Sequence, residues 1–93
     1  MNTIEASRLL TKWLAGFRAE PYDSLVSRVG RDPVGATVPG AAGTYQVEAQ
    51  CFWDAEAGGN VRVVASIDDG GIRAFAPLTD DFIKSPNGAF VGE

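Results

Sequence analysis

The stretch Tyr45-Gln46-Val47-Glu48-Ala49-Gln50-Cys51-Phe52-Trp53 decides the fold. Tyr45, Val47, Ala49, Cys51 and Trp53 alternate with Gln46, Glu48, Gln50 and Phe52, and a period of two is the mark of a strand with one face in a core. Upstream, Val34, Ala36 and Val38 keep the same period and run into the turn cluster Pro39-Gly40-Ala41-Ala42-Gly43, so the two segments read as a hairpin. Downstream, a loop around Ala57-Gly58-Gly59-Asn60 leads to Val61, Val63, Ala65 and Ile67. The turn Asp68-Asp69-Gly70-Gly71 then leads to Ile72, Ala74, Ala76 and Leu78. The expectation is a four-stranded antiparallel meander. From Thr79 the chain reads as a short helical turn, with Thr79 as cap and Asp80-Asp81 in its first turn, before Pro86-Asn87-Gly88 turns it again.

Ahead of the sheet, residues 3–18 read as an amphipathic helix. Ala6, Leu10, Trp13, Leu14 and Phe17 follow three-four spacing, while Glu5, Arg8 and Lys12 share another side. Asn2 followed by Glu5 resembles a capping box, and Gly16 with Pro21 marks the stop. Residues 21–29 read as a second short helix with Pro21 in its first turn and Leu25, Val26 and Val29 inward; a strand from Ser24 to Val29 is the alternative. The fold class is therefore α+β, a single domain over residues 1–93, with a helix or helix pair covering one face of the sheet. The expected core sets Leu10, Trp13, Leu14 and Phe17 against Val47, Ala49, Cys51, Val63, Ala65, Ile67, Ala74 and Leu78.

Composition removes most catalytic chemistries. The chain has 93 residues, no His and one Cys, so serine-histidine and cysteine-histidine catalysis, histidine-bound metals and Cys-rich zinc sites within one chain are excluded. Cys51 falls on the inward face, where a thiol behaves as a small hydrophobe. The pairs Gly58-Gly59 and Gly70-Gly71 lack the strand-to-helix setting of a phosphate loop and read as turn residues. No cofactor and no metal is expected. The net charge of -4 has the wrong sign for a nucleic-acid partner. Residues 1–50 carry five basic and five acidic groups, and residues 51–93 three basic and seven acidic, so the excess lies in the second half. A lone Cys, no signal-peptide pattern and no membrane-length apolar run lead to the expectation of a cytoplasmic protein without membrane association.

Two surfaces stand out. If residue 53 opposes residue 61, and the last hairpin turns on Asp69-Gly70, then Val64 pairs with Phe75 and Ser66 with Arg73 on the outer face, beside Phe52 and Arg62. That face has an apolar centre of Phe52, Val64 and Phe75, flanked by Glu48, Gln50, Arg62 and Arg73. Either the tail covers it through Phe90 and Val91, or a second chain does. The second surface is an acidic edge, where the ends of strands two and four bring Asp54 and Glu56 near Asp80 and Asp81. Four carboxylates there suit a basic partner or a divalent cation, although their spacing matches no calcium loop.

The segments Phe52-Trp53-Asp54, Ser66-Ile67-Asp68-Asp69-Gly70-Gly71, Thr79-Asp80-Asp81-Phe82-Ile83 and Pro86-Asn87-Gly88-Ala89-Phe90-Val91-Gly92-Glu93 together resemble the ends of small uncharacterised bacterial proteins. The resemblance covers roughly the last forty residues; it implies a single-domain bacterial protein and no catalytic residue.

The reading that follows is a non-enzymatic binding or interaction protein, homodimeric or joined to a protein partner, for instance an acidic antidote that blocks a basic protein. The alternative is a small carboxylate- or metal-dependent enzyme using Asp54, Asp80 and Asp81, or Glu48 and Arg73 on the sheet face.

Overall fold

The computed structural model describes residues 1–70 and 77–93. Its elements are α1 (Thr3–Arg18), α2 (Tyr22–Arg28), β1 (Val34–Gly40), β2 (Gly43–Trp53), β3 (Val61–Asp68) and β4 (Leu78–Lys84). The strands form an antiparallel meander in the order β1-β2-β3-β4, with both helices on one face. This is the expected α+β architecture.

At the start of α1 the Asn2 side chain accepts the Glu5 N–H at 3.0 Å, as an N-cap should. The reciprocal half of the capping box does not form. Instead, the Glu5 carboxylate accepts the Ala41 N–H at 3.0 Å and the Tyr45 hydroxyl at 2.9 Å, tying the helix start to the β1–β2 hairpin. The stripe Ala6, Leu10, Leu14 and Phe17 is buried, and Trp13 packs edge-on to Phe17 with ring centroids 5.0 Å apart. Gly16 lies inside the last turn rather than at the stop, and α1 ends at Arg18.

The helical reading of residues 21–29 is the observed one, with Pro21 as the cap before Tyr22 rather than inside the first turn. Its anchor is Leu25, which is fully buried and at this burial contributes about 1.5–3 kcal/mol. Val29 leaves the helix in an extended conformation and forms a parallel bridge to Cys51.

In β2 the alternation holds through Tyr45, Val47, Ala49 and Cys51, all buried. In β3 it holds through Val61, Val63, Ala65 and Ile67, none of them exposed to solvent. Trp53 faces Val61 and Phe52 faces Arg62, as expected.

The fourth strand departs from expectation. The helical turn expected from Thr79 is absent, because β4 occupies Leu78–Lys84 and pairs along β3. Thr79, Phe82 and Ile83 suit a pleated surface, and the hydrogen bonds offered by the open edge of β3 outweigh the local capping preference of Thr79 and the two aspartates. Consequently Val64 faces Asp81 and Ser66 faces Thr79. Val64 and Ser66 thus have their neighbours on β2 and β4, and the residues expected opposite them, Phe75 and Arg73, lie with Ile72, Ala74 and Ala76 outside the described residues. Phe82 takes a core position that the sequence reading had given to its upstream neighbours, and Leu78 is half-buried.

The tail docks on the helix side. Val91 donates its N–H to the Ile83 carbonyl at 2.9 Å, and Ser85 donates to the Ala89 carbonyl at 2.8 Å, so the chain folds back along the end of β4. Phe90 packs edge-on to Phe82 with centroids 5.8 Å apart, and the Arg18 guanidinium lies over its ring at 4.0 Å. Arg18 in turn holds the Glu93 carboxylate, with Nη1 at 2.9 Å from Oε2. Phe90 therefore does not cover the outer face, and Val91 continues the pairing at the edge of β4 beside Ile83.

Candidate interaction surface

Directly paired residues share a face, so the register places the outer face residue by residue. One row holds Phe52, Arg62 and Ile83; the next holds Gln50, Val64 and Asp81; the next Gly35, Glu48, Ser66 and Thr79; and the last Thr37, Gln46 and Asp68. The two helices and Phe90 of the tail pack on the other side. Phe52 is 44% exposed, while Val64 and Ile83 are half-buried by their neighbours.

Arg62 organises the apolar end. Its guanidinium reaches Asp54 with Nη2 at 2.8 Å and Nε at 3.0 Å, and it also binds Asp81 across the β3–β4 pair. The hydrogen bond that Arg62 donates to Asp54, reinforced by Asp81, holds the Arg62 pKa above its ordinary value. The guanidinium thus stays charged, and both carboxylates are committed to it. Asp54 and Asp81 do come together, but around a cation of the protein's own.

The rest of the expected acidic edge disperses. Asp80 faces Ala65 across the pair and so belongs to the helix side of the sheet, where its charge acts on Arg18. Glu56 stays in the exposed loop between β2 and β3, where its backbone carbonyl closes a turn to Gly59. The physical cause is the displaced fourth strand: Lys84, not Asp80 or Asp81, stands opposite Val61 at the end of β2. Among the described residues, no group of three His, Cys, Asp or Glu side chains is placed to hold a metal ion. Cys51 is buried, and burial pushes its thiol pKa up against the opposing pull of Arg28, which keeps it protonated and unreactive.

Of the sheet-face residues expected from sequence, Phe52, Arg62 and Val64 are together, while Arg73 and Phe75 lie outside the described residues. Three contributors were missed. Ile83 was read as tail, because Leu78–Lys84 shows no apolar–polar alternation that would mark it as a strand. Asp68 was read only as turn chemistry; its Oδ1 does accept the Gly70 N–H at 2.8 Å, yet it also lines the outer face beside Glu48. Gly35 leaves a hollow in β1, and no sequence signal distinguishes it from a turn glycine.

Two shallow depressions cross this face. One of about 420 Å³ is lined by Gly35, Thr37, Gln46, Glu48 and Asp68, and one of about 160 Å³ by Gln50, Phe52, Val64 and Ser66. They share Pro33 and Glu48 and so form a continuous trough with an acidic half and an apolar half.

No family model, curated protein or solved structure matches this chain. No described helix is long and apolar enough to cross a membrane.

Proposed function

We propose that this chain is a non-enzymatic interaction protein that works through the outer face of its sheet. The observation that carries this reading is the asymmetry of the sheet. One face is buried under two helices, and the other presents Phe52, Val64 and Ile83 with none of the described elements over them. A large aromatic side chain, 44% exposed, at the apolar end of a sheet face that no described element covers is the composition of a contact surface rather than of a solvated one. The carboxylates that an enzyme reading requires support it less: Asp54 and Asp81 are neutralised by Arg62, and Asp80 points to the other side of the sheet.

Light scattering over a concentration range, on the wild type and on Phe52→Glu, tests the homodimeric form of this reading. A dimer that Phe52→Glu dissociates supports it. A dimer that survives the substitution places association elsewhere and overturns the outer face as the contact surface. A monomer leaves a foreign protein as the partner, which the titration below addresses.

A further inference from the structure

The outer face and the helical layer differ in charge. Six of the eight basic residues, Arg8, Lys12, Arg18, Arg28, Arg31 and Lys84, belong to the helices, the segment after them or the inward side of β4. The described outer face holds Glu48, Asp54, Asp68 and Asp81 against Arg62 alone, a formal charge of -3. On the helical layer those bases are nearly balanced by Glu5, Glu20, Asp23, Asp32 and Asp80, so among the described residues the face that also carries the exposed aromatic ring is the more negative of the two. Two copies meeting face to face would bring these carboxylates against one another, and like charges across an interface are repulsive.

Gly35 adds an independent observation. A side chain at this position would meet only the Val47 carbonyl oxygen, at an ordinary 3.6 Å, and its backbone is not in the left-handed region. Neither local sterics nor backbone geometry requires glycine there, and a glycine that weakens a strand interior often marks a place where a ligand or another backbone comes close. Gly35 stands on the β1 side of Glu48, and the depression it lines extends across Glu48 and Gln46 to Asp68 on β3 and shares Pro33 and Glu48 with the apolar depression beside Phe52 and Val64.

We infer that the occupant of this face is a basic protein segment that sets a Lys or Arg side chain in the Gly35 hollow against Glu48 and Asp68, and an adjacent apolar side chain against Phe52 and Val64. The inference rests on the outer face being the contact surface and names the chemistry of what it contacts. Glu48 and Asp68 supply the selective charge, because Asp54 and Asp81 are already satisfied by Arg62. Phe52 and Val64 supply the desolvated centre, around which charge complementarity discriminates between partners and speeds their encounter.

The test is an amide NMR titration of the full chain with a short synthetic peptide in which Leu alternates with Lys. Matched peptides carry Gln or Glu in place of Lys. The expected result is that the Lys peptide shifts the amides of Gly35, Glu48, Val64 and Asp68 while the Glu peptide does not. Affinity should fall about tenfold or more on raising salt from low to several hundred millimolar, since exposed charges are then screened. The double substitution Glu48→Gln with Asp68→Asn, which removes both charges and keeps the Oδ1 acceptor of the Gly70 N–H, should weaken binding by a similar factor while leaving the thermal midpoint and the amide dispersion intact. Gly35→Leu, which fills the hollow without changing charge, should also weaken it.

A Gln peptide that binds the same face as tightly as the Lys peptide overturns the basic partner but leaves the contact surface standing. So does concentration-dependent broadening of these amides without peptide, abolished by Phe52→Glu, which would make a second copy the occupant. Shifts confined to the helix side, or no shift with any peptide and no self-association, overturn both.

Discussion

The Lys84 ammonium lies 2.7 Å from the Glu20 carbonyl oxygen, and it donates as well to the Arg18 carbonyl at 2.9 Å. It is the one buried charged side chain among the described residues, 7% exposed, and it closes the C-terminal end of α1 from the end of β4. A cation at a helix C-terminus meets the negative end of the helix dipole and satisfies carbonyls that have no partner within the helix. Replacing Lys84 with Met keeps the stem and removes the donor. Chemical denaturation should then show a loss of about 1–3 kcal/mol, the cost of leaving buried acceptors unpaired.

Two glycines of one strand should respond in opposite directions. A Cβ at Gly40 would come within 2.5 Å of the Tyr45 ring and 2.8 Å of the Glu5 carboxylate, whereas one at Gly35 meets nothing closer than 3.6 Å. Gly40→Ala should cost about 1–3 kcal/mol through displacement of the packed ring. Gly35→Ala should be neutral or stabilise by about 0.4–1 kcal/mol, by restricting the unfolded chain. Thermal midpoints measured side by side decide it.

Glu20 sets an acid limit on stability. Burial raises its pKa, but hydrogen bonds from Arg28 and Ser24 outweigh that and leave the carboxyl below its ordinary value. Arg18 likewise lowers Glu93. A folded-state pKa below the unfolded one contributes stability that is complete above the unfolded value of about 4.3 and is lost as pH falls through the folded value. Denaturation midpoints should therefore be level near neutrality and decline below about pH 4.5. Glu20→Gln should be less stable than the wild type at neutral pH, with the difference narrowing toward acid. A difference that widens toward acid would contradict the pairing.

The free edge of β1 is blunted by proline. Pro39 has no N–H, so its backbone faces away from β2, and by alternation those of Gly35 and Thr37 do too. With Pro33 just before the strand, Gly35 and Thr37 are the donors left on that edge, too few for a long strand to add. Pro39→Val restores a donor to an exposed, uncharged strand. Sedimentation should show self-association that grows with concentration and that the wild type lacks along this edge.

The helices and the first three strands were legible because each announces itself within its own residues. The three-four stripe from Ala6 to Phe17 and the alternation from Tyr45 to Trp53 survive any choice of neighbours, since each must bury its apolar side. The fourth strand was not legible. Thr79-Asp80-Asp81 has strong helix-start chemistry, and no local feature reveals that the edge of β3 is open to it. Of the candidate surface, Phe52, Arg62 and Val64 could be placed from one register, whereas Asp81 and Ile83 reached the same face through a register set by pairing between distant segments.

Amino-acid order alone determined the α+β class, the amphipathic helix, the hairpin, the inward half of the sheet and the concentration of acidic residues in the second half of the chain. These follow from periodicity and charge, which are properties of neighbouring residues. Only the tertiary structure decided that β4 begins at Leu78, that the tail closes over Phe82 instead of the outer face, and that Asp54 and Asp81 converge on Arg62. Those outcomes depend on which open hydrogen-bonding edge and which buried ring lie within reach once the core has closed.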